Sequence, residues 1–597
     1  MLLRVFGNYN AHCVSNGSLA FNGTGKFSSI TPKILNKIKE LSVTHIWYTG
    51  VIEHATCADY SQYGIKLDDP LLVKGLAGSP YAIKDYYDVN PYLADDIEHR
   101  MDEFKALIER THNAGIKVII DFVPNHLARN YNSDSKYKIG NDFGFNDCID
   151  NLVENQYSSG FNPSNDFYYL PCKELDTLSF TQNIDPEQKS LHNELIKEGK
   201  ISEYREFPAK VTGNNAFTAS PSEFDWWDTV KLNYGIDYNN YEKKYFYPIK
   251  ETWIKLYNIL KFWLSIGCDG FRCDMVEMVP VEFWHWVIEL LKQEYPDAQF
   301  IAEIYNKNLY DSYINYGGFD YLYDKEGLYD NLKAISQTFN NNNSIRQGRL
   351  AYAEASEISK CWQSLGNLQN KMLNFLENHD EQRIASDFNL ADPFKAIPEL
   401  CVSLMLNTSP FMLYFGQEYG ERGMLSEGYS KIDGRTSIFD FCIAPSIQRA
   451  LLGKLFDNEK KLYDIYCKLT NTALNKKAIS CGEMFDLEYA NFNNTSFDTK
   501  SQFAFARYYK SNSNLGVKDA ELIIISVDFN YAHNTTNLFI SPILPQHFFS
   551  FCGICNGLIY KAIDLLNNNI LSVELNSDAP ILMPKNEYGI SILEIKI

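Results

Sequence analysis

Arg272 and Asp274 stand two apart where a short apolar run ends, within the segment from 268 to 280. Side chains alternate along a strand, so the two face the same way. A guanidinium beside a carboxylate holds it ionised and oriented, the state that a nucleophile or an electrostatic stabiliser requires at neutral pH. Taken alone, such a pair is more often a structural ion pair. Three further apolar runs end in the same manner: 116–123 leads through Asp121 to Asn125 and His126, 299–302 leads to Glu303, and 372–375 leads to Glu377, His379 and Asp380. Carboxylates or histidines at four strand ends in order match the C-terminal rim, where barrel folds keep their active sites.

The elements that must position these groups alternate along the chain. Helical signals lie at about 32–41, 95–114, 250–266 and 281–294, the second closed by Gly115 at the expected C-cap. Strand signals lie at 3–6, 43–48, 116–123, 268–273, 299–304, 319–323, 372–375 and 411–415. Runs such as 116–123 are apolar throughout, as parallel strands buried on both faces are. Eight strands separated by helices predict an α/β fold, a (β/α)8 TIM barrel built from residues 1–126 and 235–475. Residues 127–234, rich in Asn, Asp, Tyr and Pro, are too many for a plain loop and predict an inserted domain after the third strand. The β-rich segments 503–509 and 522–528 predict a C-terminal all-β sandwich domain over 476–597. Asparagine runs at 340–343 and 567–569 predict loops.

The 597 residues exceed a single ordinary core, and 45% hydrophobic with 22% charged residues fits a globular chain. A net charge of -20 disfavours nucleic acid and anionic membranes as partners. The first residues contain no signal-peptide-like apolar run, and no stretch approaches the ~20 apolar residues of a membrane helix, which predicts a cytoplasmic location. The odd count of 13 cysteines predicts reduced thiols, and Cys552 with Cys555 lacks a second pair for zinc. Aromatic residues make up 14% of the chain, enough to offer flat apolar faces to a ligand.

These four segments, in this order, resemble the signature of the α-amylase family of glycoside hydrolases and transglycosylases, across roughly residues 1 to 470. The resemblance implies retaining cleavage of an α-glucosidic bond in an α-glucan or malto-oligosaccharide. Asp274 would be the nucleophile, oriented by Arg272. Glu303 would be the general acid and then base, its protonated form favoured by two nearby anions and partial burial. Asp380 would bind sugar hydroxyls and favour the distorted ring, and His126 and His379 would bind hydroxyls of the same sugar. Asp121 and Asn125 would be structural. The segment from Gly78 through Tyr81 and Asp85 resembles the family's loop after the second strand, with Tyr81 stacking on the sugar and Asp85 structural near the site. Ser79 stands where many relatives have a sugar-binding histidine.

Two further features of the family pattern are altered. Many members bind calcium between the inserted domain and the barrel through an asparagine, acidic side chains and a carbonyl from a histidine after the nucleophile. Here Met278 replaces that histidine, and Lys231 and Asn233 replace aspartates, which predicts that the usual calcium site is lost, that no metal or other cofactor is needed, and that Lys231 stands in as a fixed positive charge. Glu277 and Met278 also replace the Lys-His pair that grips the sugar on the leaving-group side in many endo-acting members. Two alternatives stand beside hydrolysis: transfer of the glucosyl group to another sugar or to phosphate, and a non-catalytic carbohydrate-binding relative.

Overall fold

A computed structural model describes residues 1–340, 352–511, 520–535, 538–577 and 579–597. Its centre is a parallel sheet of seven strands in sequential order: β1 (His45–Tyr48), β2 (Lys117–Phe122), β3 (Gly270–Cys273), β4 (Gln299–Ala302), β5 (Tyr321–Tyr323), β6 (Met372–Phe375) and β7 (Phe411–Met412). Helices α1 (Pro32–Lys39), α2 (Arg100–Asn113), α3 (Glu251–Ser265) and α4 (Val281–Glu294) alternate with the first strands. Phe271 on β3 lies against Phe122 and Phe300 of the neighbouring strands, and Phe122 meets Trp284 of α4 edge-on. With Phe271 committed to that apolar layer, alternation sends Arg272 and Asp274 to the opposite face.

Two expected strands differ. Residues 3–6 form a single helical turn, Leu3–Phe6, and only Leu2 pairs, through a parallel bridge to Thr49. Four residues are too few for periodicity to separate helix from strand. In the turn, buried Arg4 reaches the Tyr92 hydroxyl at 3.0 Å, the Gly78 carbonyl at 3.2 Å and His54 at 3.1 Å. The strand expected at 411–415 pairs only over Phe411–Met412.

Between β2 and α3 the chain leaves the sheet and forms short ribbons, 126–128 with 229–231 and 169–170 with 209–210, and the helix Pro186–Lys197 capped by Asp185. Tyr168, Phe180, Val211 and Trp227 give this region a small core of its own, with Phe180 stacked on Trp227 at 4.8 Å.

After helices α5 (Ile397–Met405) and α6 (Asp457–Asn475) comes a six-stranded antiparallel sheet. Its strands are β8 (Glu483–Asp486), β9 (Gln502–Lys510), β10 (Ala520–Asp528), β11 (Leu558–Asp564), β12 (Ile570–Leu575) and β13 (Ile590–Lys596), in the spatial order β8-β9-β10-β13-β11-β12. Phe503, Phe505, Ile523 and Ile525 share one core with Leu400 and Leu469 of α5 and α6. The alternate residues Ala504, Leu522 and Ile524 pack instead under Phe548 and Phe549 of a short helix and Ile540 and Met583 of a two-stranded ribbon. The second layer of the expected sandwich is therefore this ribbon and helix.

The asparagine run at 567–569 is the turn between β11 and β12. Of the other run, Asn340 ends the helix Asp330–Asn340 and 341–343 lie outside the described residues. All thirteen cysteines are free thiols.

Candidate functional site

Register brings the two central carboxylates level. Arg272 lies opposite Asp121 on β2 and Ile301 on β4, so the next residues past the strand ends, Asp274 and Glu303, emerge side by side. Backbone bonds fix the level: the Asp274 N–H donates to Phe122 O at 2.9 Å, and the Glu303 N–H donates to Cys273 O at 3.0 Å.

One buried guanidinium holds this group together. Arg272 Nη1 donates to Asp274 Oδ1 at 2.8 Å and to Asp121 Oδ1 at 3.4 Å, Nε donates to the Tyr323 hydroxyl at 3.2 Å, and Nη2 lies 2.7 Å from Glu303 Oε1. That last contact is an ion pair without hydrogen-bond alignment, since Nη2 has no aligned acceptor. The rings of Trp47, Tyr81 and Tyr323 surround the guanidinium at 5.2, 5.3 and 5.6 Å. Burial first, and then the Glu303 carboxylate, push Asp274 well above the ordinary carboxylate range, with Arg272 opposing.

The other residues singled out in the sequence form two groups. At the site, Tyr81 stacks on His379 with ring centres 5.2 Å apart, and its hydroxyl meets His379 Nε2 at 2.8 Å. His379 Nε2 also lies 3.1 Å from Asp380 Oδ2. The Asp380 side chain is 47% exposed; desolvation in the cleft opposes its ionisation, but His379, Arg272 and Arg435 outweigh it and hold its carboxyl below the usual range. Asn378 Oδ1 accepts the N–H groups of Asp380 and Glu381, each at 2.9 Å, and Glu377 is clamped by Arg383 at 2.9 Å, which shapes the turn that presents His379 and Asp380. His126 packs on Trp226 with ring centres 5.1 Å apart and meets Asn125 at 3.1 Å. Burial, followed by Lys231 and Lys74, pulls it down to about 3, so the imidazole is neutral.

Asp121, Asn125 and Asp85 sit in supporting positions. Asp121 Oδ2 accepts the Trp47 indole N–H at 2.9 Å, and burial pushes its carboxyl up against the opposing Arg272. Asp85 accepts from Tyr87 N–H, Ser133 Oγ and Ser135 N–H, tying the strand Ile83–Val89 to the start of the inserted region, and burial raises it to about 7. Ser79 Oγ accepts the Tyr81 N–H at 3.2 Å, so it shapes the turn that carries Tyr81.

Asn125 Oδ1 accepts from Lys231 Nζ at 2.8 Å, and among the described residues no carboxylate forms an ion pair with that lysine. Burial pulls Lys231 down to about 7, so its charge is titratable near neutrality and not fixed as the sequence suggested. Among the described residues, one cluster of potential metal ligands, Glu53, Asp88 and Asp134, brings three carboxylate oxygens within 4.8 Å of one another. Arg100 forks onto Asp88 at 3.0 and 2.6 Å and Lys84 lies 3.5 Å from Glu53, so cations of the chain already serve it.

Four aromatic residues at the site escaped the sequence reading: Trp47, Tyr323, Trp226 and Tyr305, whose hydroxyl donates to Glu303 Oε1 at 2.7 Å. Trp47 and Tyr323 stand in apolar strands and read as core until the register of the neighbouring strands is known, whereas Trp226 and Tyr305 lie outside any strand.

Known proteins are similar to this chain in sequence and in fold. Residues 14–438 match the family described as "Alpha amylase, catalytic domain". The chain is 23% identical over 420 residues to Alpha-amylase 3 of Dictyoglomus thermophilum, covering 68% of each chain. It is 22% identical over 442 residues to a cyclomaltodextrinase of Thermoanaerobacter pseudethanolicus, covering 72% of this chain but only 56% of that relative. A shorter stretch of 144 residues is 29% identical to an alpha-1,4-glucan:maltose-1-phosphate maltosyltransferase of Methylacidiphilum infernorum, covering 20% of this chain and 21% of that relative. Among solved structures, the alpha-amylase of Geobacillus thermoleovorans complexed with acarbose superposes with a TM-score of 0.58 at 15% identity, over 100% of this chain and 97% of that one. Strand ends that gather Arg272, Asp274 and Glu303, on a barrel sheet lying within the matched residues, agree with that match, and the chain belongs to the alpha-amylase family.

Proposed function

We propose that the protein is a retaining α-glucan hydrolase acting on malto-oligosaccharides or on the outer chains of glycogen or starch. The observation that carries this reading is the single Arg272 fork contacting Asp274 at 2.8 Å and Glu303 at 2.7 Å. Such a fork favours the short spacing of a retaining pair, about 5–5.5 Å, over the roughly 6.5–9.5 Å of an inverting pair. Asp274 attacks the anomeric carbon while Glu303 gives its proton to the departing glycosidic oxygen. Water then bonds to the anomeric carbon, its proton passes to Glu303, and the ester bond to Asp274 breaks. The reaction needs the proton on Glu303, and a bound sugar favours that placement, because the glycosidic oxygen accepts from that side and the electrophilic carbon favours ionised Asp274. Tyr81 offers its ring face to the sugar, and His126, His379 and Asp380 bind its hydroxyls. Asp121, Asn125 and Asp85 hold the loops.

Incubation with maltoheptaose tests the reading: short malto-oligosaccharides of initially α configuration are expected, and Asp274→Asn lowers the rate by at least about 10³-fold. Initial β products, or an Asp274→Asn variant as active as the wild type, would sink it. A wild type that binds maltoheptaose without cleaving it would instead fit a non-catalytic binding relative. Transfer to a sugar or phosphate acceptor is the second reading, favoured by the stretch shared with a maltosyltransferase. Products longer than maltoheptaose would select it.

The reading includes no calcium at Asn125. The support is the Lys231 amino group, which donates to Asn125 Oδ1, the oxygen a cation would need, and forms no ion pair with a carboxylate among the described residues. A chelator is expected to leave the melting temperature unchanged, and a large drop would refute this. A cytoplasmic location is part of the same proposal, supported by the charge and by the finding that no described helix is long and apolar enough to cross a membrane.

A further inference from the structure

Glu277 stands three residues after Asp274, in the short turn Val276–Met278. Its Oε2 accepts the backbone N–H groups of Asn306 at 3.0 Å and Tyr305 at 3.3 Å, and so pins the segment that follows Glu303. From that fixed backbone, Tyr305 turns its hydroxyl onto Glu303 Oε1 at 2.7 Å. On the other oxygen, Oε2, the Met275 N–H donates at 2.8 Å, from a residue with φ of 43°, in the left-handed region that non-glycine residues rarely occupy. Each oxygen of Glu303 therefore receives one hydrogen bond, in addition to the ion pair with Arg272 Nη2. The charged and titratable groups around it are Arg272 and Asp274 from β3, Tyr323 from β5, and Asp380, which acts on Tyr305. Donors directed at a carboxylate favour its ionised form.

We propose that Tyr305, locked in place by Glu277, is a positioning residue for Glu303: its hydroxyl orients the carboxyl group and supports the proton-accepting form that acts on the incoming water. The inference rests on the hydrolytic reading of Asp274 and Glu303. It gives Glu277 a task different from a grip on the leaving sugar, because its carboxylate is engaged by the chain's own backbone.

The pH profile of kcat/KM on maltoheptaose tests it, with α-glucosyl fluoride, whose leaving group needs no proton, as a second substrate. Tyr305→Phe removes one donor to the ionised carboxylate and keeps the ring. The limb on which activity is lost at high pH is expected to move upward by about half to one pH unit, and kcat to fall about tenfold. Glu277→Ala is expected to move the limb in the same direction, and Glu277→Gln, which retains one carbonyl acceptor, to move it less. A Tyr305→Phe profile superimposable on that of the wild type, or one changed only in KM, overturns the proposal. If the wild-type protein turns over neither maltoheptaose nor α-glucosyl fluoride, the hydrolytic reading itself falls, an outcome distinct from a wild type that works and a variant that matches it.

Discussion

His126 shows how a single residue's surroundings set its chemistry. Its strand, His126–Ala128, pairs with Thr229–Lys231, and the ring lies under Trp226. Burial, Lys231 and Lys74 hold it near 3, well below an ordinary histidine at 6.5. Between those two values the unfolded chain binds a proton that the folded chain does not, so this group makes stability fall as pH drops through that window. His126→Gln is expected to narrow the gap between urea midpoints measured at pH 7 and pH 4, and a gap equal to the wild-type one would contradict the burial argument. At this scale the sequence was legible where chemistry and periodicity coincided. Arg272, Asp274, Glu303, His379 and Asp380 all follow apolar runs, which marks them without any tertiary knowledge. Tyr305 and Glu277 were not legible in the roles described, because the backbone groups that Glu277 accepts lie 28 and 29 residues on and the oxygen that Tyr305 reaches is aligned only by the folded turn.

Elements determine how precisely these groups are held, and the turn carrying Tyr81 is a case. Gly78 has φ of 75°, and a Cβ placed there would meet the Ala55 carbonyl oxygen at 1.7 Å. Any side chain must displace either the turn or the strand Ile52–His54 beside it. Gly78→Ala is expected to destabilise the fold by about 1–3 kcal/mol and to lower kcat/KM on maltoheptaose, since Tyr81 is three residues on. Chemical denaturation and steady-state kinetics check the two effects separately. Most sheet strands and their helices could be read from long apolar or amphipathic runs. The first expected strand could not, because Leu3–Phe6 is as compatible with a helical turn as with a strand, and buried Arg4 finds its partners in the turn. Nor could the thin second layer of the C-terminal sheet, whose short pieces Phe539–Ile540 and Met583–Pro584 carry almost no pattern.

For the whole molecule, the decisive feature is the core shared by α5, α6 and the C-terminal sheet. Buried Arg507 reinforces that junction: it donates to the carbonyls of Leu406 at 3.0 Å, Ile479 at 2.8 Å and Gly482 at 2.7 Å. Removing the sheet would strip an apolar face from both helices and leave these carbonyls without their donor. A chain ending at residue 480 is expected to accumulate in the insoluble fraction, and a soluble, active product would refute the dependence. The sheet's order carries this into biosynthesis. Strand β13, Ile590–Lys596, lies between β10 and β11, so the middle of the sheet is made last. While the ribosome is still adding those residues, the barrel helices have no finished surface to close against, and for that interval the nascent chain depends on whatever in the cell shields exposed apolar faces.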